Sequence, residues 1–214
     1  MTQSQSPLVE IAPGTHDVEL DIAYATPRNV TGQPVYSRPG CYLHRTAEEK
    51  LRRAVDLARP LGYRLRIFDA FRPVEAQWRL WNARPDPDFV ADPRRGSPHS
   101  RGVALDLTLT ADGAALEMGT GFDAFTPLSY HACREISEEA QRNRFVLLGI
   151  MSAAGWDFYD KEWWHYQLFG ARRFPLLSDS VLPQPMMEHG AQRMRHASSN
   201  ANRGLRGMTP AGSP

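Results

Sequence analysis

The stretch Ser97-Pro98-His99-Ser100-Arg101-Gly102-Val103-Ala104-Leu105-Asp106-Leu107-Thr108-Leu109 decides the fold reading. Its second half alternates strictly. Val103, Leu105, Leu107 and Leu109 face one way, and Ala104, Asp106 and Thr108 the other, as on a strand laid against a core. Its first half is a Ser/Pro/Gly loop that feeds this strand. Working outward, residues 63–71 (YRLRIFDAF) alternate at their start and predict a second strand, and residues 162–169 (EWWHYQLF) predict a last, aromatic one. Thr46-x-x-Glu49 is a capping-box pattern that opens a helix. Leu51, Ala54, Val55 and Ala58 follow at helical spacing, and Pro60 and Gly62 stop it. Pro73 fits the first turn of a second helix, with Val74, Trp78 and Trp81 on one face. A third helix, about 137–154, places Phe145, Leu148 and Met151 on one face and ends at Gly155. Helices before and between the strands predict an α+β fold: a single compact domain with a small, mainly antiparallel central sheet flanked by helices.

The chain has 214 residues, 42% of them hydrophobic, with 25 Lys+Arg against 24 Asp+Glu. That length fits one domain plus a tail, and the apolar content excludes a disordered chain. The near-zero charge gives no reason to expect a nucleic-acid or anionic-membrane partner. Residues 184–214 are rich in Gly, Pro, Ser, Asn and Arg, and are expected to be a disordered basic tail with four Arg and one Glu. Subtracting that local +3 from the total of +1 leaves about −2 on the body, 1–183. The N-terminus lacks the basic region of a secretory signal, and the longest near-apolar run (145–151) is far short of the ~20 residues that span a bilayer. A soluble cytoplasmic protein is expected. Cys41 and Cys133 are too few for a disulfide framework and are expected to be free thiols.

Three segments carry chemistry. In the first, His99 lies in the loop and Asp106 is the one charge on the strand. A carboxylate there must be solvated, paired or metal-bound, and His plus Asp is half of a zinc site. Gly102 would turn the chain so that the two side chains converge. Alone, the pair is equally a loop histidine and an Asp that caps backbone amides. In the second, Glu162-Trp163-Trp164-His165 offers a third ligand, His165, and a carboxylate three residues earlier. A bend at the tryptophans is required to bring them together, and both Trp could wall the site. The alternative is a core strand with a satisfied histidine. In the third, Arg72 stands between a strand and Pro73, placed to stabilise developing negative charge. The alternative is an ion pair with Asp69. Together the segments form a catalytic zinc set. His99, Asp106 and His165 would bind one Zn2+ per chain and leave a fourth position for water. Glu162 would be the general base and Arg72 the electrophilic helper in amide hydrolysis.

The segments S-x-H-S-R-G-x-A-x-D-L-T-L, D-x-[FY]-R-P and E-W-W-H resemble those of the zinc D-alanyl-D-alanine dipeptidases. The resemblance extends to Y-A-T-x-x-N-x-T-G at 24–32 and M-G-x-x-F-D at 118–123, and it spans about 17–169 in order. The H-x6-D pair alone is shared with zinc carboxypeptidases and endopeptidases that act on cell walls, which form the alternative reading. The resemblance implies zinc on His99, Asp106 and His165, Glu162 as base, and Arg72 at the transition state. It implies substrate contacts from Tyr24, Ser97 and Asp123, the last anchoring a free amino terminus. The implied substrate is the small free dipeptide, cleaved to two D-alanines, in glycopeptide resistance or in D-alanine recovery. Pro98 departs from the small polar residue usual beside the ligand. His16, His44, His189 and His196 read as surface residues, and His131 as either a non-site residue or a pocket wall.

Overall fold

The computed structural model describes residues 6–188. In chain order its main elements are β1 (Leu8–Glu10), α1 (Pro13–His16), β2 (Glu19–Leu20), β3 (Tyr42–His44), α2 (Arg45–Ala58), β4 (Arg64–Asp69), α3 (Val74–Ala83), β5 (Ala104–Ala111), β6 (Ala114–Ala115), α4 (Glu138–Ala154), β7 (Asp157–Phe158) and β8 (His165–Gln167). The main sheet runs β2-β4-β5-β8-β7, with β6 folded back on β5. Only β2–β4 is parallel; the other pairs are antiparallel. β1 and β3 form a separate antiparallel ribbon. The expected α+β domain is therefore present.

The alternating stretch becomes the central strand, β5, with seven of its eight residues buried. Leu105, Leu107 and Leu109 join Leu65 and Ile67 of β4 in the core. α2 and α4 pack on each other and over β4 and β5, contributing Leu51, Val55, Leu147 and Met151. The opposite face of β5, with Asp106, is also buried, but under loops. Strand pairing there sets up the site. Asp106 lies directly opposite His165 of β8, and on its other side opposite Asp69 of β4. The second pairing exists because the register shifts between Ile67 and Asp69. Phe68 is the extra residue of this bulge, and it re-aims Asp69 from the core face to the face of Asp106.

Several local expectations are corrected. The helix expected to be capped by Thr46 is α2, and it opens one residue before Thr46, at Arg45. β3 runs straight into it, and His44 caps it by accepting from Thr46 N at 3.2 Å. Glu49 of the expected capping box is not used. On α3 the buried residues are Ala76, Gln77 and Leu80, while Trp78 and Trp81 are half-buried. On α4, Phe145 is 59% exposed, and the buried stripe is Ala140, Arg144, Leu147, Ile150, Met151 and Ala154. Both errors have one cause. Gln77 and Arg144 count as polar in a hydrophobic pattern, yet each is buried with its polar atoms bonded. Arg144 donates to the carbonyls of Met118, Leu128 and Tyr130 at 2.7–2.9 Å. Burial is tolerated when such bonds are made.

The last strand is shorter than expected, because Glu162, Trp163 and Trp164 form a turn before β8. The packed chain also continues past Pro183: Met186 and Met187 are buried, and their amides donate to Asp179 at 2.9 and 2.8 Å. The rest of the expected tail, 189–214, lies outside the described residues, as do His189 and His196. His16 is not a surface residue; it is buried against Glu48 at 3.1 Å. Both cysteines are free. Among the described residues, no helix is long and apolar enough to cross a membrane.

Candidate metal centre and active site

His99, Asp106 and His165 are brought together from a loop and two adjacent strands. His99 opens a short 3-10 turn, His99–Arg101, which ends at Gly102 with φ +68°. A Cβ on Gly102 would stand 2.5 Å from Leu8 Cδ2 and 3.2 Å from His44 N, so both the left-handed backbone and the close approach require glycine. This is the turn that the odd His99–Asp106 spacing demands. Pro98 leaves the turn intact: its φ of −57° is the value its ring enforces. Ser97 Oγ accepts from His99 N at 3.2 Å and steadies the loop.

The three atoms that could hold a metal ion form a nearly equilateral triangle. His99 Nε2 lies 3.1 Å from His165 Nδ1 and 3.2 Å from Asp106 Oδ1, and His165 Nδ1 lies 3.1 Å from Asp106 Oδ1. A tetrahedral ion with ligand bonds near 2.05 Å needs donors about 3.3 Å apart, so these residues fit one divalent ion. Each imidazole is oriented through its other nitrogen. His99 Nδ1 donates to Ala70 O at 2.7 Å, and His165 Nε2 donates to Gln167 Oε1 at 3.2 Å. Those bonds leave a lone pair on each inward nitrogen, as a metal ligand requires. Burial would raise the Asp106 carboxyl, but His99 and His165 outweigh it and hold the group well below the usual carboxylate range.

Arg72 is buried beside this triangle. Its Nε donates to Asp69 Oδ2 at 2.8 Å, Nη1 to Gln77 Oε1 at 3.2 Å and Nη2 to Asp106 Oδ2 at 3.1 Å. One guanidinium thus separates two carboxylates that face each other across the strands. The Asp69 ion pair anticipated as an alternative does form, but in the interior and together with the site contact. Arg72 also lies 4.7 Å from the Tyr24 ring centroid. The Glu162-to-His165 turn, closed by His165 N to Glu162 O at 3.1 Å, brings Glu162 Oε2 to 3.8 Å from His165 Nδ1. Burial, then the charges of Asp106 and Asp123, push the Glu162 carboxyl well up against the opposing pull of Arg72.

Asp123 and Tyr24 meet across the same cavity. Tyr24 Oη donates to Asp123 Oδ1 at 3.1 Å, and Val30 N donates to Oδ2 at 3.0 Å. Asp123 adopts φ +58°, a strained value for a residue with a side chain. Burial pushes its carboxyl up to about 7, partly offset by Arg72.

All eight residues singled out from the sequence line one cavity of about 250 Å³. That is below the roughly 300–1,000 Å³ of pockets for drug-sized ligands. Trp164 lines it; Trp163 does not, and instead donates through Nε1 to Thr120 Oγ1 at 2.8 Å. His131 stands apart, with its ring against Phe158 and Tyr166. Residues 87–91 form a wall of the cavity that the sequence did not reveal. This segment is latched by Lys161 Nζ on Asp88 Oδ1 at 2.6 Å, Tyr159 Oη on Asp88 O at 3.0 Å, and Phe89 stacked on Phe125 at 4.7 Å. Gln77, which bonds Arg72, and Gln167, which bonds His165, are further supports that the sequence did not reveal. Their signal lies in tertiary contacts and not in local pattern.

Comparison with known proteins agrees with the motifs. A family model described as D-ala-D-ala dipeptidase matches residues 4–191. A D-alanyl-D-alanine dipeptidase of Escherichia coli K12 is 42% identical over 185 residues, covering 85% of this chain and 96% of that protein. Proteins of the same name from Enterococcus faecium and Enterococcus faecalis are 35% and 34% identical, each covering 72% of this chain and 87% of the relative.

Proposed function

Because the chain belongs to the D-Ala-D-Ala dipeptidase family of peptidases, we propose that it is a zinc-dependent enzyme that hydrolyses the free dipeptide D-alanyl-D-alanine to two D-alanines. One observation carries the reading: three ligand atoms 3.1–3.2 Å apart, in a small cavity that also holds Glu162, Arg72 and Asp123. The family's relatives are named for this dipeptide.

His99, Asp106 and His165 would hold the ion, which supplies Lewis acidity and lowers the pKa of a coordinated water. Glu162 takes a proton from the attacking water and passes it to the leaving amine. Burial among like charges raises its proton affinity, the direction a general base needs. Arg72 stays charged at every working pH and faces the site where the carbonyl oxygen gains charge. Asp123, with Tyr24, receives the substrate's ammonium group. Ser97 holds the His99 loop and lines the cavity.

The competing reading, a carboxypeptidase or endopeptidase on peptidoglycan stems, needs an open cleft. The latched 87–91 wall and the small cavity favour the dipeptide. The test compares free D-Ala-D-Ala with its N-acetylated form, using zinc-loaded protein. The free dipeptide should be strongly preferred, and Glu162→Ala should keep its metal while losing at least about 100-fold in rate. Preference for the blocked substrate would establish the competing reading.

A further inference from the structure

Arg72 depends on groups that never touch the cavity. Its Nε partner, Asp69, is 1% exposed, and so is Tyr36, whose Oη donates to the other Asp69 oxygen at 2.8 Å. Neither residue is among those lining the cavity. The hydroxyl of Tyr36 matters because it makes the two oxygens of Asp69 distinct. Oδ1 is taken by Tyr36 and Oδ2 by Arg72, with His99 Nδ1 at 3.5 Å from that same Oδ2. Without the hydroxyl, the carboxylate is free to turn about its broad, two-fold terminal torsion, and Arg72 loses a fixed partner.

Tyr36 is itself held at both ends of its backbone. Its N–H donates to Tyr24 O at 2.9 Å. The next residue, Ser37, donates to Met186 O through both N (2.8 Å) and Oγ (2.9 Å), and Arg38 N adds a longer bond at 3.3 Å. Met186 is fully buried, and Asp179 accepts from the amides of Met186 and Met187 at 2.9 and 2.8 Å. The path therefore runs Asp179, Met186, Ser37–Tyr36, Asp69, Arg72, and reaches Asp106 Oδ2 at 3.1 Å.

We propose that Tyr36 is a positioning residue for Arg72, and that the Asp179–Met186 clasp near the end of the described chain holds Tyr36 in place. This inference rests on the reading of Arg72 as the group that stabilises transition-state charge. His99 Nδ1 is bonded more closely to Ala70 O, at 2.7 Å, so zinc content reports any effect through His99; an effect through Arg72 changes kcat, leaves KM alone, and vanishes once Arg72 is gone.

The test is a double-mutant cycle of Tyr36→Phe and Arg72→Ala in zinc-loaded protein. It is read as kcat and KM on D-Ala-D-Ala and as the Kd of a phosphinate dipeptide analogue, which mimics the tetrahedral state. Zinc content and Tm serve as folding controls. Tyr36→Phe should lower kcat about 10- to 100-fold with KM within about twofold, as expected for misplacement of a catalytic group. It should weaken the phosphinate about tenfold in the parent, yet less than about twofold in Arg72→Ala. Equal losses in both backgrounds, or a Tyr36→Phe enzyme within twofold of the parent, would overturn the inference. If Arg72→Ala were as active as the parent, the role of Arg72 would itself be wrong, and the inference would fall with it. Should Tyr36→Phe not fold, Asp179→Ala tests the same path from its far end. It should lower kcat at least about threefold at unchanged KM, with the same dependence on Arg72; a Tm loss without a kcat loss would overturn the path.

Discussion

Asp123→Asn removes one charge from the cavity and little else. The amide keeps the size of the carboxylate and an oxygen that accepts from Tyr24 or Val30, which bond Asp123 at 3.1 and 3.0 Å. An ammonium about 3 Å from the carboxylate gains roughly 5 kcal/mol at an effective dielectric of about 20. Desolvation of the ammonium returns part of that. A further fraction of a kcal/mol goes to ionising a carboxyl that burial has pushed up to about 7. A net of about 2–4 kcal/mol remains, so kcat/KM should fall about 30- to 1,000-fold. The assay is the initial rate of D-Ala release from pH 5.5 to 9. In the parent, kcat/KM should rise on the acid side as Asp123, near pH 7, and Glu162 ionise; in Asp123→Asn the Asp123 part of that rise should be lost and only the Glu162 limb remain. The gap between free and N-acetylated dipeptide should also narrow. Stability supplies a second sign. A carboxyl raised in the fold contributes stability below its unfolded pKa, about 4, and loses it as pH rises to about 7. Without substrate, Asp123→Asn should therefore have a higher Tm than the parent at pH 8 and the same Tm at pH 4. A variant within threefold of the parent in kcat/KM, with its acid limb unchanged, would refute the ammonium role.

Gln167→Leu removes the acceptor that orients His165, and zinc affinity measured by competition with a chelator should fall about 10- to 100-fold. Gly102→Ala places a methyl group 2.5 Å from Leu8 and forces φ +68° on alanine; it should cost roughly 1–3 kcal/mol in denaturant unfolding and weaken zinc binding as the His99 turn shifts. Burial and then Arg144 push the His131 imidazole down to about 4, and neither ring nitrogen has a partner among the described residues. The unfolded chain takes up that proton near pH 6.5 while the fold resists until about 4, so stability should drop across this window. His131→Leu should flatten the drop when Tm is compared at pH 7 and pH 5.

The residues of the site were legible because their chemistry is local. A histidine beside a Gly turn, a lone carboxylate on an alternating strand, and E-W-W-H each stand out by residue type. The Gly102 turn was legible too, since the odd His99–Asp106 spacing requires one. What brings the groups together was not legible. The register that sets Asp106 opposite His165 and Asp69, and the bulge at Phe68 that turns Asp69 inward, are properties of strand pairing. Hydrophobic periodicity chose the wrong stripes on α3 and α4 because Gln77 and Arg144 are polar yet buried with their bonds made. Composition set the domain end at Pro183, whereas two methionine amides on Asp179 carry the packing on to Met187. The wall at 87–91 carries no chemical motif, and its place shows only where Phe89 stacks on Phe125.

The His99–Asp106–His165 triangle is the centre of the proposed chemistry. The decisive measurement strips the protein with a chelator, then titrates zinc back while following both bound metal and D-Ala release from the free dipeptide. Activity should return in proportion to zinc and saturate at one ion per chain, and Asp106→Ala should neither bind zinc tightly nor recover. Hydrolysis that persists in stripped protein, or that saturates without His99, Asp106 and His165, would contradict the account.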